Sequence, residues 1–148
     1  MSVELPFAPV DTIIRRNAGD LRVSAEAAEE LARRIQEHGA GLAGEAAERA
    51  TRDGRKTLMA GDFGGEGADA SAADLELPIA PVDRIARLDI DDSYRVSMDA
   101  RVALAGILEV YADRVAAAAS TLARHARRRT VKAEDIEAYY DLESYFEG

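Results

Sequence analysis

ELPFAPVDTIIR, at residues 4–15, returns as ELPIAPVDRIAR at residues 76–87 with nine of twelve positions identical. The spacing is 72 residues. Arg22, Val23 and Ser24 then match Arg95, Val96 and Ser97 at a spacing of 73, and GRKT at 54–57 aligns with RRRT at 127–130 at that same spacing. Landmarks that keep their order along both copies identify an internal duplication, which sets the unit that must fold. The 148-residue chain reads as a first unit at 1–66, a linker at 67–75 and a second unit at 76–148.

Each unit reads as a short helix, a long helix and a short helix. Pro9 and Pro81 suit a first helical turn, where a missing N–H costs nothing. The first helix is expected to end before NAGDL (17–21) in one copy and DIDDSY (89–94) in the other. Ser24 and Ser97 stand where an N-cap is needed, and Glu26 and Asp99 just beyond favour a helix N-terminus. The long helix is expected to reach Arg52 or His125, about 28 residues or ~42 Å. Leu104, Leu108, Tyr111, Val115, Ala118, Ala119 and Leu122 recur at helical spacing as one buried stripe. The first copy has a thinner stripe of Leu31, Ile35, Leu42 and Ala46, interrupted by Gly39, Gly41 and Gly44. The ungapped match between copies predicts one helix through these glycines, with a close crossing, rather than a break. A third helix is clear from Lys132 to Tyr145. Its counterpart after Gly61 is cut short by Gly64, Gly65 and Gly67. One unit alone leaves its long helix half uncovered, so the fold class is all-α, with the two long helices crossed within one chain.

Composition narrows the chemistry. Hydrophobic residues make up 47%, much of it alanine, enough for a folded core of thin side chains. There is no cysteine, hence no disulfide and no thiolate metal site. His38 and His125 are the two histidines, and Asp89, Asp91 and Asp92 lack calcium-loop spacing, so no metal and no cofactor is expected. No nucleophile, acid–base pair or phosphate loop appears, so no enzyme is read. No apolar run approaches ~18 residues, and MSVELPFAPV lacks the layout of a secretory signal; an intracellular protein is expected, with no membrane partner. Net charge is −9, and 17 of the 19 basic residues are arginine. An acidic surface poor in lysine resembles proteins of organisms that hold molar salt, where the Debye length shrinks to ~3 Å. A merely acidic protein of an ordinary cytoplasm is the other reading.

The two ELPxAPVxRI-like segments, RVS, a long helix and a turn of the form GRKTxKAEDI together resemble the histone fold, in particular the small tailless archaeal histones. The resemblance spans most of the chain and occurs twice, so it implies a tandem doublet whose two histone folds pair as a handshake dimer and bind double-stranded DNA on one face. It implies backbone contacts from Arg84, Arg95, Arg129, Thr130 and Lys132 in the second copy and from Arg22, Lys56 and Thr57 in the first. Thr12 and Met59 replace two expected basic residues, so the first copy is expected to be the weaker DNA half. The resemblance further implies structural ion pairs Arg55–Asp62 and Arg128–Asp135. It places self-association of two chains at Leu122, His125 and Asp135, where the first copy has Arg49 and Arg52 instead. Arg127 departs from the family's glycine and is either an extra phosphate contact or merely exposed.

These residue types suit that chemistry. Arginine and lysine neutralise phosphates, and threonine hydroxyls bond phosphate oxygens. Arg22 and Arg95 are expected to enter the minor groove, as arginines do in wrapped DNA without base readout, leaving DNA deformability to set any preference. A nucleoid protein that bends or wraps DNA is the reading put first. A sparse transcription regulator, and a protein-interaction module that has lost DNA binding, are the alternatives that the acidity favours. Tyr139, Tyr140, Tyr145 and Phe146, in the acidic tail, are expected to pack the third helix and cover the core.

Overall fold

The computed structural model describes residues 2–146. In chain order they form α1 (Phe7–Ala18), β1 (Arg22–Val23), α2 (Ala25–Arg52), β2 (Thr57–Leu58), α3 (Ile79–Ala86), β3 (Arg95–Val96), α4 (Met98–His125), β4 (Thr130–Val131) and α5 (Ala133–Glu143). Both long helices begin where their serines cap them. Ser24 Oγ accepts from Ala27 N at 3.1 Å, and Ser97 Oγ from Ala100 N at 3.0 Å. Both run 28 residues. Helix α1 runs to Ala18, two residues past its expected end at Arg16. The Asn17 amide donates back to Ile13 O at 2.8 Å, and Gly19, at φ 61°, ends the helix in a conformation glycine adopts freely.

The long helices cross with their stripes facing each other. Ile35 and Leu31 of α2 and Leu104, Leu108 and Val115 of α4 are fully buried, each worth roughly 1.5–3 kcal/mol of apolar transfer. Gly39 sits against α3 and α4: a Cβ there would lie 2.8 Å from Ile85 Cγ2 and 2.9 Å from Leu108 Cδ1. The other two glycines, Gly41 and Gly44, face open space. So α2 is continuous, and one of its three glycines makes the close approach.

Strand pairing ties the two copies end to end. β1 pairs in parallel with β4 (Arg22 opposite Thr130), and β2 with β3 (Thr57 opposite Arg95). Each two-stranded ribbon thus takes one strand from each copy. The repeated ELP segments dock by one shared device. Gln36 Oε1 accepts from Glu4 N at 2.7 Å, and its counterpart Glu109 Oε1 accepts from Glu76 N at 2.7 Å and Leu77 N at 3.0 Å. Glu109 carries a charge where Gln36 does not, and Arg16 of the other copy meets it at 3.0 Å.

The third helix exists in the second copy alone. In the first it is a single 3₁₀ turn, Ala60–Asp62. Backbone takes the place of the missing helix: Gly67, at φ +99°, lies against Gly106 of α4, where an added Cβ would be 2.0 Å from Gly67 O. In the tail, Tyr139 and Tyr140 pack against the core, with Tyr140 meeting Tyr111 and lying under Arg34. Tyr145 and Phe146 are 82% and 83% exposed and do not cover it. The hydrophobic run ends before them, because Leu142 already faces solvent.

Candidate nucleic-acid interface

Each basic turn is held from inside by one arginine and one aspartate. Arg128 Nη1 donates to Asp135 Oδ2 at 2.6 Å and Nη2 to Oδ1 at 2.5 Å, and Lys132 N donates to Oδ2 at 2.8 Å. The first copy repeats this: Arg55 meets both oxygens of Asp62 at 2.9 Å, and Met59 N donates to Oδ2 at 2.8 Å. Bidentate pairing of this kind fixes geometry as well as charge. Arg55, with the Met59 N–H, holds the Asp62 carboxyl below its ordinary value of 3.8. Arg55 and Arg128 also donate to the carbonyls of Thr57 and Thr130, two residues on. Lys56 and Arg129 are exposed beside these locked arginines, and Thr57 and Thr130 are half-buried in their strands. Asp135 is 2% exposed with both oxygens engaged inside its own turn, while Leu122 is half-buried and His125 exposed.

A census of the arginines and lysines separates two populations. Among the described residues, ten of the 19 basic side chains lie within 4 Å of a carboxylate and nine do not. The paired ones include Arg16 with Asp113 and Glu109, whose hydrogen bonds raise its pKa further. Arg87 and Arg101 share Asp83. Arg84, expected at the DNA face, is 54% exposed but paired with Glu4 of the other copy at 2.9 Å.

The nine unpaired cations gather at the two ribbon ends. Arg22, Arg124, Arg127, Arg129 and Lys132 surround β1–β4. Arg49, Arg52, Lys56 and Arg95 surround β2–β3. Arg124 also donates to Ala18 O at 2.8 Å and Arg49 to Asp62 O at 2.8 Å, so these two brace the ends as well. Reasoning from the sequence missed Arg49, Arg52 and Arg124 as members of these clusters. The available signal was their place in the last turn of a long helix that leads into a basic turn.

Each ribbon mixes copies, so the local charge is set end by end. At the β1–β4 end, loop 17–24 and turn 124–132 carry six bases against Asp20. The equivalent β2–β3 segments, 90–97 and 51–59, carry four bases against Asp53, Asp91 and Asp92. There Lys56 Nζ lies over the Tyr94 ring at 4.6 Å, and the Tyr94 hydroxyl meets Thr51. The Ser93 N–H, with Lys56 contributing, holds the Asp91 carboxyl below its ordinary value. Among the described residues, no cluster of three or more potential ligands could hold a metal, and no helix is long and apolar enough to cross a membrane.

Comparison with known proteins bears on the fold and the family. The chain is 56% identical over 61 residues to an archaeal histone HAN1 subunit from Thermococcus zilligii, covering 41% of this chain and 88% of that protein. It is 44% identical over 63 residues to probable archaeal histone 3 of Methanocaldococcus jannaschii, covering 43% of this chain and 91% of that protein. Among solved structures, the histone from Methanopyrus kandleri superposes with a TM-score of 0.63 at 24% identity, over 90% of this chain and 91% of that one. A protein from Thermus thermophilus superposes with a TM-score of 0.71 at 16% identity, over 96% and 98%. At such identities these two show the fold alone. The model of the family "Histone-like transcription factor (CBF/NF-Y) and archaeal histone" matches twice, at residues 3–63 and 75–138. With both halves matched, the chain belongs to the histone-like transcription factor and archaeal histone family, as two histone folds in tandem.

Proposed function

We propose that this chain is a nucleoid protein that binds double-stranded DNA without base-specific readout and bends or wraps it. One observation carries the reading: among the described residues, the nine basic side chains left without a carboxylate are those at the two paired-strand ends, while the other ten each lie within 4 Å of one. Free cations beside threonine hydroxyls and strand N–H groups are what phosphate recognition requires. Lys56, Thr57, Arg95, Arg22, Arg129, Thr130 and Lys132 are the contacts. Arg84 contributes only if phosphate displaces Glu4. Relatives named archaeal histones support the same reading.

The test is binding of a random-sequence duplex by the double variant R22A/R95A across a salt series. Each lost phosphate contact lowers the slope of log K against log salt by about 0.9, so the slope should fall by nearly 2 with thermal stability unchanged. Binding equal to the unmodified chain at every salt concentration would refute the assigned face.

A second reading, a regulator at few sites, is favoured by the net charge of −9 around so few free cations. Genome-wide nuclease protection separates the two: regular, abundant footprints mean compaction, and rare ones mean regulation. We also infer that the acidic surface suits molar salt, and that two chains associate through Leu122 and His125 at the end of α4. Asp135 then acts by holding the adjoining turn, since its carboxylate is already engaged.

A further inference from the structure

Arg127 is the sole non-glycine residue with positive φ among the described residues, at 62°. Its counterpart in the first copy is Gly54, at φ 75°. The turn imposes this conformation in both copies. Arg127 N donates to Arg124 O at 2.9 Å and Arg128 N to Ala123 O at 3.0 Å, as Gly54 N does to Thr51 O at 3.0 Å and Arg55 N to Ala50 O at 2.8 Å. Glycine adopts this left-handed conformation without steric cost, whereas a side chain there is strained.

Nothing among the described residues offsets the strain. The Arg127 side chain is exposed, has no carboxylate within 4 Å and makes no hydrogen bond to the described residues. A residue that strains its backbone without a partner in the fold points to a partner outside it. Its surroundings say what kind. It extends the cluster of Arg22, Arg129 and Lys132, in matched segments of formal charge +5, against +1 for the equivalent segments at β2–β3. At that other end Lys56 leans on Tyr94 at 4.6 Å.

We propose that Arg127 is an additional phosphate-binding residue, and that the β1–β4 end it completes is where this chain anchors DNA, the β2–β3 end holding it weakly. The inference rests on the DNA-binding reading above.

The test is R127G in the full chain, read by duplex binding and thermal unfolding at each salt concentration. Glycine relieves the strain, so the melting temperature rises. Loss of one phosphate contact lowers affinity about eight-fold at ~0.1 M salt, fading toward no effect near ~1 M, with the salt slope smaller by about 0.9. R127K keeps the charge and should retain most of the affinity. R22A should cost more affinity than R95A. R127G that binds like the unmodified chain with the same slope overturns the role of Arg127. Equal losses for R22A and R95A overturn the anchoring end. Failure of the unmodified chain to bind duplex at any salt overturns the DNA reading itself, and this inference with it.

Discussion

Two glycines two residues apart on α2 test the helix crossing directly. Gly39→Ala places a methyl group 2.8 Å from Ile85 Cγ2 and 2.9 Å from Leu108 Cδ1, while Gly41→Ala places one where no atom lies within 4 Å. Both substitutions gain the same helix propensity, about 1 kcal/mol in a helix interior. At Gly41 that gain stands alone, so G41A should be more stable than the unmodified chain by about 1 kcal/mol. At Gly39 the gain is set against overpacking, typically about 1–3 kcal/mol. The net for G39A runs from about zero to a loss of about 2 kcal/mol. Because propensity cancels between the two variants, their difference isolates the crossing contact, about 1–3 kcal/mol or roughly 2–10 °C in melting temperature for a chain of this size. Urea denaturation followed by far-ultraviolet circular dichroism measures both, with equal m-values confirming that unfolding stays comparable. If G39A proves as stable as G41A, the close approach of α2 to α3 and α4 is wrong, and with it the crossing that pairs the two copies.

Two further outcomes follow from other regions. His38 is half-buried and stacked on Tyr111 at 3.9 Å; burial lowers its pKa below 6.5, with Glu143 and Glu45 opposing. The unfolded chain therefore takes up this proton first as pH falls, so stability is full above about 6.5 and declines from there down to the folded value. Denaturation midpoints above and below this pH should fall less in H38F than in the unmodified chain; an equal fall would place the effect elsewhere. Sedimentation at high salt should show two chains associating, and L122R, which copies the Arg49 of the first unit, should leave one. Long oligomers, or a strict monomer even on DNA, would refute association confined to the second unit.

What was legible in the sequence depended on how far along the chain each interaction reaches. The starts of the long helices were readable because Ser24 and Ser97 accept from the N–H three positions on, and a cap is a local event. The duplication itself showed that neither unit could cover its stripe alone. The end of α1 was misplaced because Asn17 answers to Ile13 and also to Asp113 of α4, 96 residues away. The closure of each turn lay within seven residues, but the charge balance at its mouth did not. Only the tertiary structure decided which arginines are neutralised, since Arg84 finds Glu4 and Arg16 finds Asp113 across the two copies. Only parallel pairing of β1 with β4 and β2 with β3 decided which loop faces which turn, and so set the charge of each end rather than of each copy. Sequence spacing carries contacts within a helical turn or a tight loop. Contacts between units depend on how the long helices cross, which is a property of the packed core.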